Sequence, residues 1–493
     1  MIILRKVRMT LGLVIFALIT LLFLDFTGSI HAWFGWLAKM QFVAAITSSN
    51  VVVVVILLLL TMLFGRIYCS VICPLGVFQD VVLDTATRRK KYRFSFSKAK
   101  TPLRIAILVL FVAMFIAGVS AVVVILEPYS IYGRIASNLF APIWQFGNNI
   151  LAFFAERVDS YAFYSTDIWI KSAPTFIIAL ISFVVIVVLA WRGGRTFCNT
   201  ICPVGTVLGF LAKYSFYKPR IDQDKCNSCG LCEKSCKSSC IDSKSKTIDY
   251  SRCVTCLDCT VVCKKDALHY SKSAKPSLAA TSETKTTDNG RKTFLLTSLL
   301  LGRTIAKAQE IKTDGGLSVI VDKKVPSRAT HVLPAGSVGI KQFKNKCTGC
   351  QLCVSVCPSQ VLRPSSDLSR FMQPEMSFEN GYCRPECTAC SDVCPTGAII
   401  SVTKEEKSAI SIGTATWIKD NCVVLTDDVT CGNCATRCPS GAIMMIPVSG
   451  TTTDTPSQGS GTSGNAPSGG QQDRGGQGGG QDRGGQGGGQ DRG

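Results

Sequence analysis

The chain has 493 residues, a formal charge of +20, 25 cysteines and only three histidines. One domain of ~100 to 150 residues does not account for that length. The mean hydropathy is positive, yet the last 45 residues hold almost nothing apolar, so the apolar residues are concentrated in stretches that point to a lipid bilayer. Much of the Lys and Arg flanks those stretches, as topology signals do, and nucleic acid is not an expected partner.

Four apolar stretches approach the ~20 residues that cross a bilayer: about Met9 to Leu24, Phe42 to Phe64, Leu103 to Leu126 and Pro174 to Trp191. They predict an α-helical transmembrane bundle of four helices within residues 1–217. Arg5, Lys6 and Arg8 precede the first, and a basic run from Arg66 to Arg104 separates the second from the third. The loops on the other side carry few cations, so both ends of the bundle are expected in the cytoplasm. No small-residue cleavage pattern closes the first helix, which is therefore retained. Asp25 and Glu127, at outer helix ends, are candidate proton acceptors, with ordinary interfacial carboxylates as the plainer reading.

After the second and fourth stretches comes a repeat: Gly65-Arg66-x2-Cys69-x3-Cys73-Pro74-x-Gly76 and Gly194-Arg195-x2-Cys198-x3-Cys202-Pro203-x-Gly205. If the two helices are neighbours, Cys69, Cys73, Cys198 and Cys202 converge, which makes them candidates for a sixth metal or redox centre. The bland alternative is four structural thiols.

Residues 218–270 carry Cys226-x2-Cys229-x2-Cys232-x3-Cys236 and Cys253-x2-Cys256-x2-Cys259-x3-Cys263. In this ferredoxin spacing three close thiolates wrap one cubane and the fourth reaches the cluster of the other copy. One expected set is Cys226, Cys229, Cys232 and Cys263; the other is Cys253, Cys256, Cys259 and Cys236. Zinc sites typically use two separated Cys-x2-Cys pairs instead. Lys237 and Lys264 stand where such ferredoxins carry proline, which leaves Cys240 as an alternative to Cys236, or as a spare thiol.

Residues 271–340 form a Ser/Thr/Lys-rich linker with Arg291-Lys292-Thr-Phe294, an apolar run too short to span, and Ala306-Lys307-Ala308. Twelve cysteines follow within 341–448: Cys347, Cys350, Cys353 and Cys357-Pro358; Cys383, Cys387, Cys390 and Cys394-Pro395; Cys422, Cys431, Cys434 and Cys438-Pro439. They supply three cubanes, for about five [4Fe-4S] clusters in all, in α+β ferredoxin-like domains. Three motifs cannot all pair two by two, so one cluster is self-contained. Residues 449–493 are expected to be a disordered tail, which repeats Gln-Asp-Arg-Gly-Gly-Gln-Gly-Gly-Gly with period nine from Gln472. His31, His269 and His331 are too few for a bis-histidine haem and no Cys-x2-Cys-His occurs, so no haem is expected. Gly413-Thr-Ala-Thr416 is too faint an echo of a flavin attachment site for flavin to be expected.

Up to about Tyr270, the repeated Gly-Arg-x2-Cys-x3-Cys-Pro-x-Gly with a double ferredoxin motif behind it resembles NapH-type quinol dehydrogenase membrane subunits and their nitrous-oxide-reductase regulatory relatives. From Arg291 onward the chain resembles the NapG or MauM type of exported ferredoxin, with Arg291-Lys292-Thr-Phe294-Leu295 in place of the twin-arginine leader. Lys292 replaces the second arginine and Arg303 interrupts the apolar run. The resemblance implies a multi-pass protein of the bacterial inner membrane, with the first ferredoxin domain cytoplasmic and the second region periplasmic if the leader exports it. It implies electron transfer from the quinol pool to a redox partner protein, a reductase or cytochrome, as part of a quinol dehydrogenase. Alternatives are a metal-ion-reducing assembly factor for an oxidase and a membrane redox sensor. An assembly factor would favour an extra β-sandwich, for which the chain has no strand-rich segment, and sensing needs one cluster, not five.

Overall fold

The computed structural model describes residues 2–25, 28–89, 94–159, 163–166, 168, 171–272, 331–378 and 381–413. It also describes short pieces at 312–313, 319–320 and between 417 and 445. The segment 291–308 and the tail 449–493 lie outside the described residues. Residues 1–414 form one compact unit and 415–493 a second.

Among the described residues two helices are long and apolar enough to cross a membrane, α1 (Ile2–Leu24) and, later in the chain, Ala173–Gly193. The other two expected spans are not continuous. The second breaks between α2 (Phe42–Thr47) and α3 (Val51–Phe64). There Ser49 takes a φ of 57° and the Asn50 side chain accepts from the Val53 amide at 3.3 Å, the local competition by which Ser and Asn end helices. Two helices follow, the short α4 (Ile67–Val71) and α5 (Pro74–Arg89), which starts at the proline of the first repeat. The third span breaks at Gly118, with a φ of +70°, between α6 (Thr101–Ile116) and α7 (Ser120–Leu126).

The stretch after Glu127, read from sequence as a loop, contains α8 (Pro128–Ile135) and α9 (Ala141–Glu156). Pro128 sits where its missing amide costs nothing, and the Glu127 carboxylate caps α8 by accepting from the Ser130 amide. Asp25 is likewise engaged, accepting from the Gly28 and Ile30 amides at 3.0 and 2.8 Å. Both candidate proton acceptors thus serve as backbone anchors. The chain then forms α10 (Ala173–Gly193), α11 (Thr196–Thr200) and α12 (Pro203–Ala212), the last beginning at the second Cys-Pro.

The core lies where α1, α5, α8 and α10 meet. Phe16, Phe78, Tyr132, Phe140 and Phe183 stack and tilt against one another there, with ring centroids from 5.4 Å (Phe16–Tyr132) to 6.5 Å (Phe16–Phe78). Such pairs add about 0.5–1.5 kcal/mol each beyond area burial. In the first cysteine-rich region, β1 (Tyr217–Ile221) pairs antiparallel with β4 (Leu268–Lys272), and β2 (Ile241–Asp242) with β3 (Thr247–Ile248). In the later region β5 (Leu362–Pro364) pairs with β6 (Pro374–Met376).

Candidate redox centres

Three of the cysteine loops share one backbone device. Ser228 and Gly230 flank Cys229, Thr255 and Leu257 flank Cys256, and Gly349 and Gln351 flank Cys350, all six with φ between 52° and 75°. Left-handed residues on both sides of the middle cysteine curl the loop, and curled loops of this kind turn successive amides toward an anionic centre. The Gly349 amide accordingly donates to the Cys347 sulfur and the Leu352 amide to that of Cys350. Beyond the loops, the Ala267 amide reaches the Cys263 sulfur at 3.3 Å and the Ile399 amide that of Cys394 at 3.4 Å. Only two of the six flanking residues are glycine, so the shared curl is barely visible in the sequence.

The cysteines gather across motifs. Cys226, Cys229, Cys232 and Cys263 line one cavity of about 160 Å³. Cys347, Cys350, Cys353 and Cys394 line a second, and Cys357, Cys383, Cys387 and Cys390 a third. Cys236 and Cys240 have their sulfurs 3.5 Å apart, and Cys240 also contacts the Cys253 sulfur. Hydrogen bonding between them draws the Cys236 thiol down and holds that of Cys240 up. Cys422, Cys431, Cys434 and Cys438 belong to the second unit, with Cys434 on the short helical turn Asn433–Thr436.

Four thiols lining each of these cavities form a donor set of the kind that holds a [4Fe-4S] cluster. Burial pushes the Cys347 and Cys390 thiols up to about 12. Crowded buried thiols hold protons until a cation replaces them, which is what iron supplies.

The repeat after α3 and α10 builds a further thiol centre. Cys69, Cys73, Cys198 and Cys202 are each only 4 % exposed, and Arg66 and Arg195 are fully buried. The two arginines exchange partners across the repeat: Arg195 Nη1 donates to the Cys69 carbonyl at 2.6 Å, and Arg66 Nη2 to the Cys198 carbonyl at 3.1 Å. Gly76 and Gly205 make room for this, since a Cβ at either would strike the same carbonyl and the partner guanidinium. Gln79 Nε2 donates to the Cys198 sulfur at 3.2 Å. The repeat is unequal at one point. Arg195 forks onto Asp80 at 2.8 and 2.6 Å, whereas Arg66 uses Asn199 Oδ1 at 2.9 Å and the Ser251 carbonyl at 3.2 Å.

The two paired-motif regions sit at opposite ends of α1. At its start Arg5 pairs with Asp258 at 2.6 Å, and Lys237 bridges Asp80 and Asp258 at 3.3 and 3.1 Å. Gly65 and Gly194, both with positive φ, take Thr255 and Lys237 against their bare backbones. At the other end Ser130 Oγ donates to the Thr348 carbonyl at 2.7 Å, Asn138 Nδ2 to Gln351 Oε1 at 2.8 Å, and Lys171 to the Val354 carbonyl at 3.3 Å. A side chain at Gly133 would meet both the Cys350 carbonyl and Phe23. Arg5 and Phe23 are separated by roughly 27 Å of helix.

A family profile described as a 4Fe-4S binding domain matches residues 49–95 and 175–221, and one described as a 4Fe-4S dicluster domain matches 346–398. The uncharacterized protein MJ0749 of Methanocaldococcus jannaschii is 39% identical over 79 residues, 16% of this chain and 31% of its own length. The methylamine utilization ferredoxin-type protein MauM of Methylophilus methylotrophus is 31% identical over 119 residues, 23% of this chain and 52% of its own. YccM of Escherichia coli, put forward by its name as an electron transport protein, is 20% identical over 207 residues, 40% of this chain and 49% of its own. The chain thus spans from 31% to 52% of the length of these relatives. No solved structure matches it. The chain carries 4Fe-4S ferredoxin-type domains and is an iron–sulfur protein of the electron-transfer kind.

Proposed function

We propose that the chain is a membrane-embedded relay that takes electrons from a quinol and passes them to a reductase or cytochrome. The observation that carries this reading is the placement of two paired-motif regions at opposite ends of an apolar helix bundle, about one hydrocarbon thickness apart. In this reading five [4Fe-4S] clusters are held by Cys226, Cys229, Cys232 and Cys263; by Cys253, Cys256, Cys259 and Cys236; by Cys347, Cys350, Cys353 and Cys394; by Cys383, Cys387, Cys390 and Cys357; and, self-contained, by Cys422, Cys431, Cys434 and Cys438. Bound clusters supply one-electron acceptors. The residues themselves exclude water from the thiols, hold the loops curled and fix the two regions to the bundle.

The buried quartet of Cys69, Cys73, Cys198 and Cys202 lies between the two regions, and its crossed arginines would neutralise a sixth, anionic centre. NapH-type subunits are the nearest functional analogy for the membrane half, and the MauM likeness supports a ferredoxin role for the C-terminal half. The basic segment around Arg291 would carry that half outward, placing it in the periplasm of a bacterial inner membrane. The test is addition of a reduced short-chain quinol to the protein in liposomes. Bleaching of the broad visible absorption by quinol supports the reading. Bleaching by dithionite but by no quinol would overturn it.

A further inference from the structure

The largest cavity among those described, about 510 Å³, lies at the end of the bundle that holds the first cysteine pair. Its volume falls within the range of small-molecule sites. It mixes charge with apolar surface: Arg8, Asp80, Lys237 and Asp258 line it together with Met9, Leu13, Val77 and Val81. Met9 and Leu13 are 45% and 44% exposed on α1, so the apolar lining opens onto the outer surface of the bundle, where lipid would lie.

We propose that this cavity is an isoprenoid quinone site, with the ring among the charged residues and the tail leaving along α1 and α5. The proposal rests on the quinol reading above and gives it a location, which differs from the outer carboxylates Asp25 and Glu127.

Three features favour a quinone over another amphiphile. Arg8 is 6 % exposed, and its Nε has no hydrogen-bond partner among the described residues, so a buried donor awaits an acceptor such as a quinone carbonyl. Three carboxylates, Asp80, Asp84 and Asp258, line the same space together with Arg5, Arg8, Lys234 and Lys237, so the wall offers acceptors to hydroquinone hydroxyls as well as donors to quinone carbonyls. The charged lining also borders redox ligands in sequence, since Lys237 follows Cys236 and Asp258 precedes Cys259.

Oxidation of the bound hydroquinone breaks two O–H bonds and releases two protons and two electrons. The protons leave by the carboxylate wall, where exposed Asp84 meets solvent. Clusters held by the two cysteine sets of the first pair would supply one-electron acceptors, one for each electron.

The experiment uses the full-length protein in nanodiscs with decyl-ubiquinone, a menaquinone analogue and a photoreactive azidoquinone. Val81→Trp fills the apolar wall, Arg8→Gln removes the unpaired donor while keeping most of the shape, and Val109→Trp on the outer face of α6 is the control. Val81→Trp and Arg8→Gln are expected to weaken quinone binding about tenfold or more with unchanged iron content. Val109→Trp is expected to bind as wild type, and the azide to label α1 or α5. Binding unaffected in both variants, with labelling elsewhere and quinol bleaching intact, would overturn this site and leave the relay standing. Displacement of the quinone by excess phospholipid would assign the cavity to lipid. Loss of both quinone binding and quinol bleaching in the wild type would sink the relay reading itself.

Discussion

Both loops of the first cysteine pair and the Cys350 loop of the second curl alike, and both pairs meet bare glycine backbone, but among the described residues the first is fastened to the bundle by ion pairs as well. The first is held by charge: Arg195, Lys237, Arg5 and Arg8 converge on Asp80 and Asp258. The second is held by close approach, with Gly133 and Gly349 bringing bare backbone against Cys350, Phe23 and Val124, and by neutral hydrogen bonds to Thr348 and Gln351. The difference accounts for Lys237. In the second pair Pro358 and Pro395 follow the fourth cysteines. In the first, the residue after Cys236 is instead a buried cation shared by two carboxylates, and a proline there would leave both short of a partner.

The comparison breaks most severely where a cluster is lost. Purified protein is expected to hold about 20 iron atoms per chain. Cys256→Ala in the first pair and Cys350→Ala in the second should each lose about four of them, measured by iron and sulfide assay. Cys240→Ala should keep all; loss in that variant with an intact Cys236→Ala would reverse the assignment of the fourth ligand. Next in size is Arg195→Ala, which leaves Asp80 short of its bidentate partner and should cost about 3–5 kcal/mol, seen as early protease release of residues 218–270 on heating. Gly133→Ala should act only on the second pair, by overpacking worth about 1–3 kcal/mol, and the first pair's melting should not move. The smallest effect is Arg5→Gln. Its pair with Asp258 is 37% exposed on the arginine side, so the cost should be about 0–1 kcal/mol and should vanish in high salt, whereas the second pair should show no salt dependence.

The cysteine spacings were legible because ligand geometry fixes them locally, and the Gly-Arg-Cys-Pro repeat because it recurs at one offset. What could not be read is set by contacts distant in sequence. The breaks at Ser49 and Gly118 interrupt runs whose hydropathy alone reads as continuous. Helix α9 was hidden because Gln145, Gly147, Asn148 and Asn149 interrupt its apolar residues Ile143, Trp144 and Phe146. The docking of Gln351 on Asn138, 213 positions apart, has no local signature. The partner exchange of Arg66 and Arg195 was foreshadowed only by their equivalence in the repeat.

The central claim is that the two pairs occupy opposite faces of one membrane. Its most direct test is maleimide labelling of single cysteines introduced at exposed Lys244 and Leu368, in intact and lysed spheroplasts of a strain making the full chain. The account predicts that a membrane-impermeant maleimide labels position 368 in intact spheroplasts and position 244 only after lysis. Labelling of both only after lysis would place every cluster on the inner face and contradict the relay across the membrane.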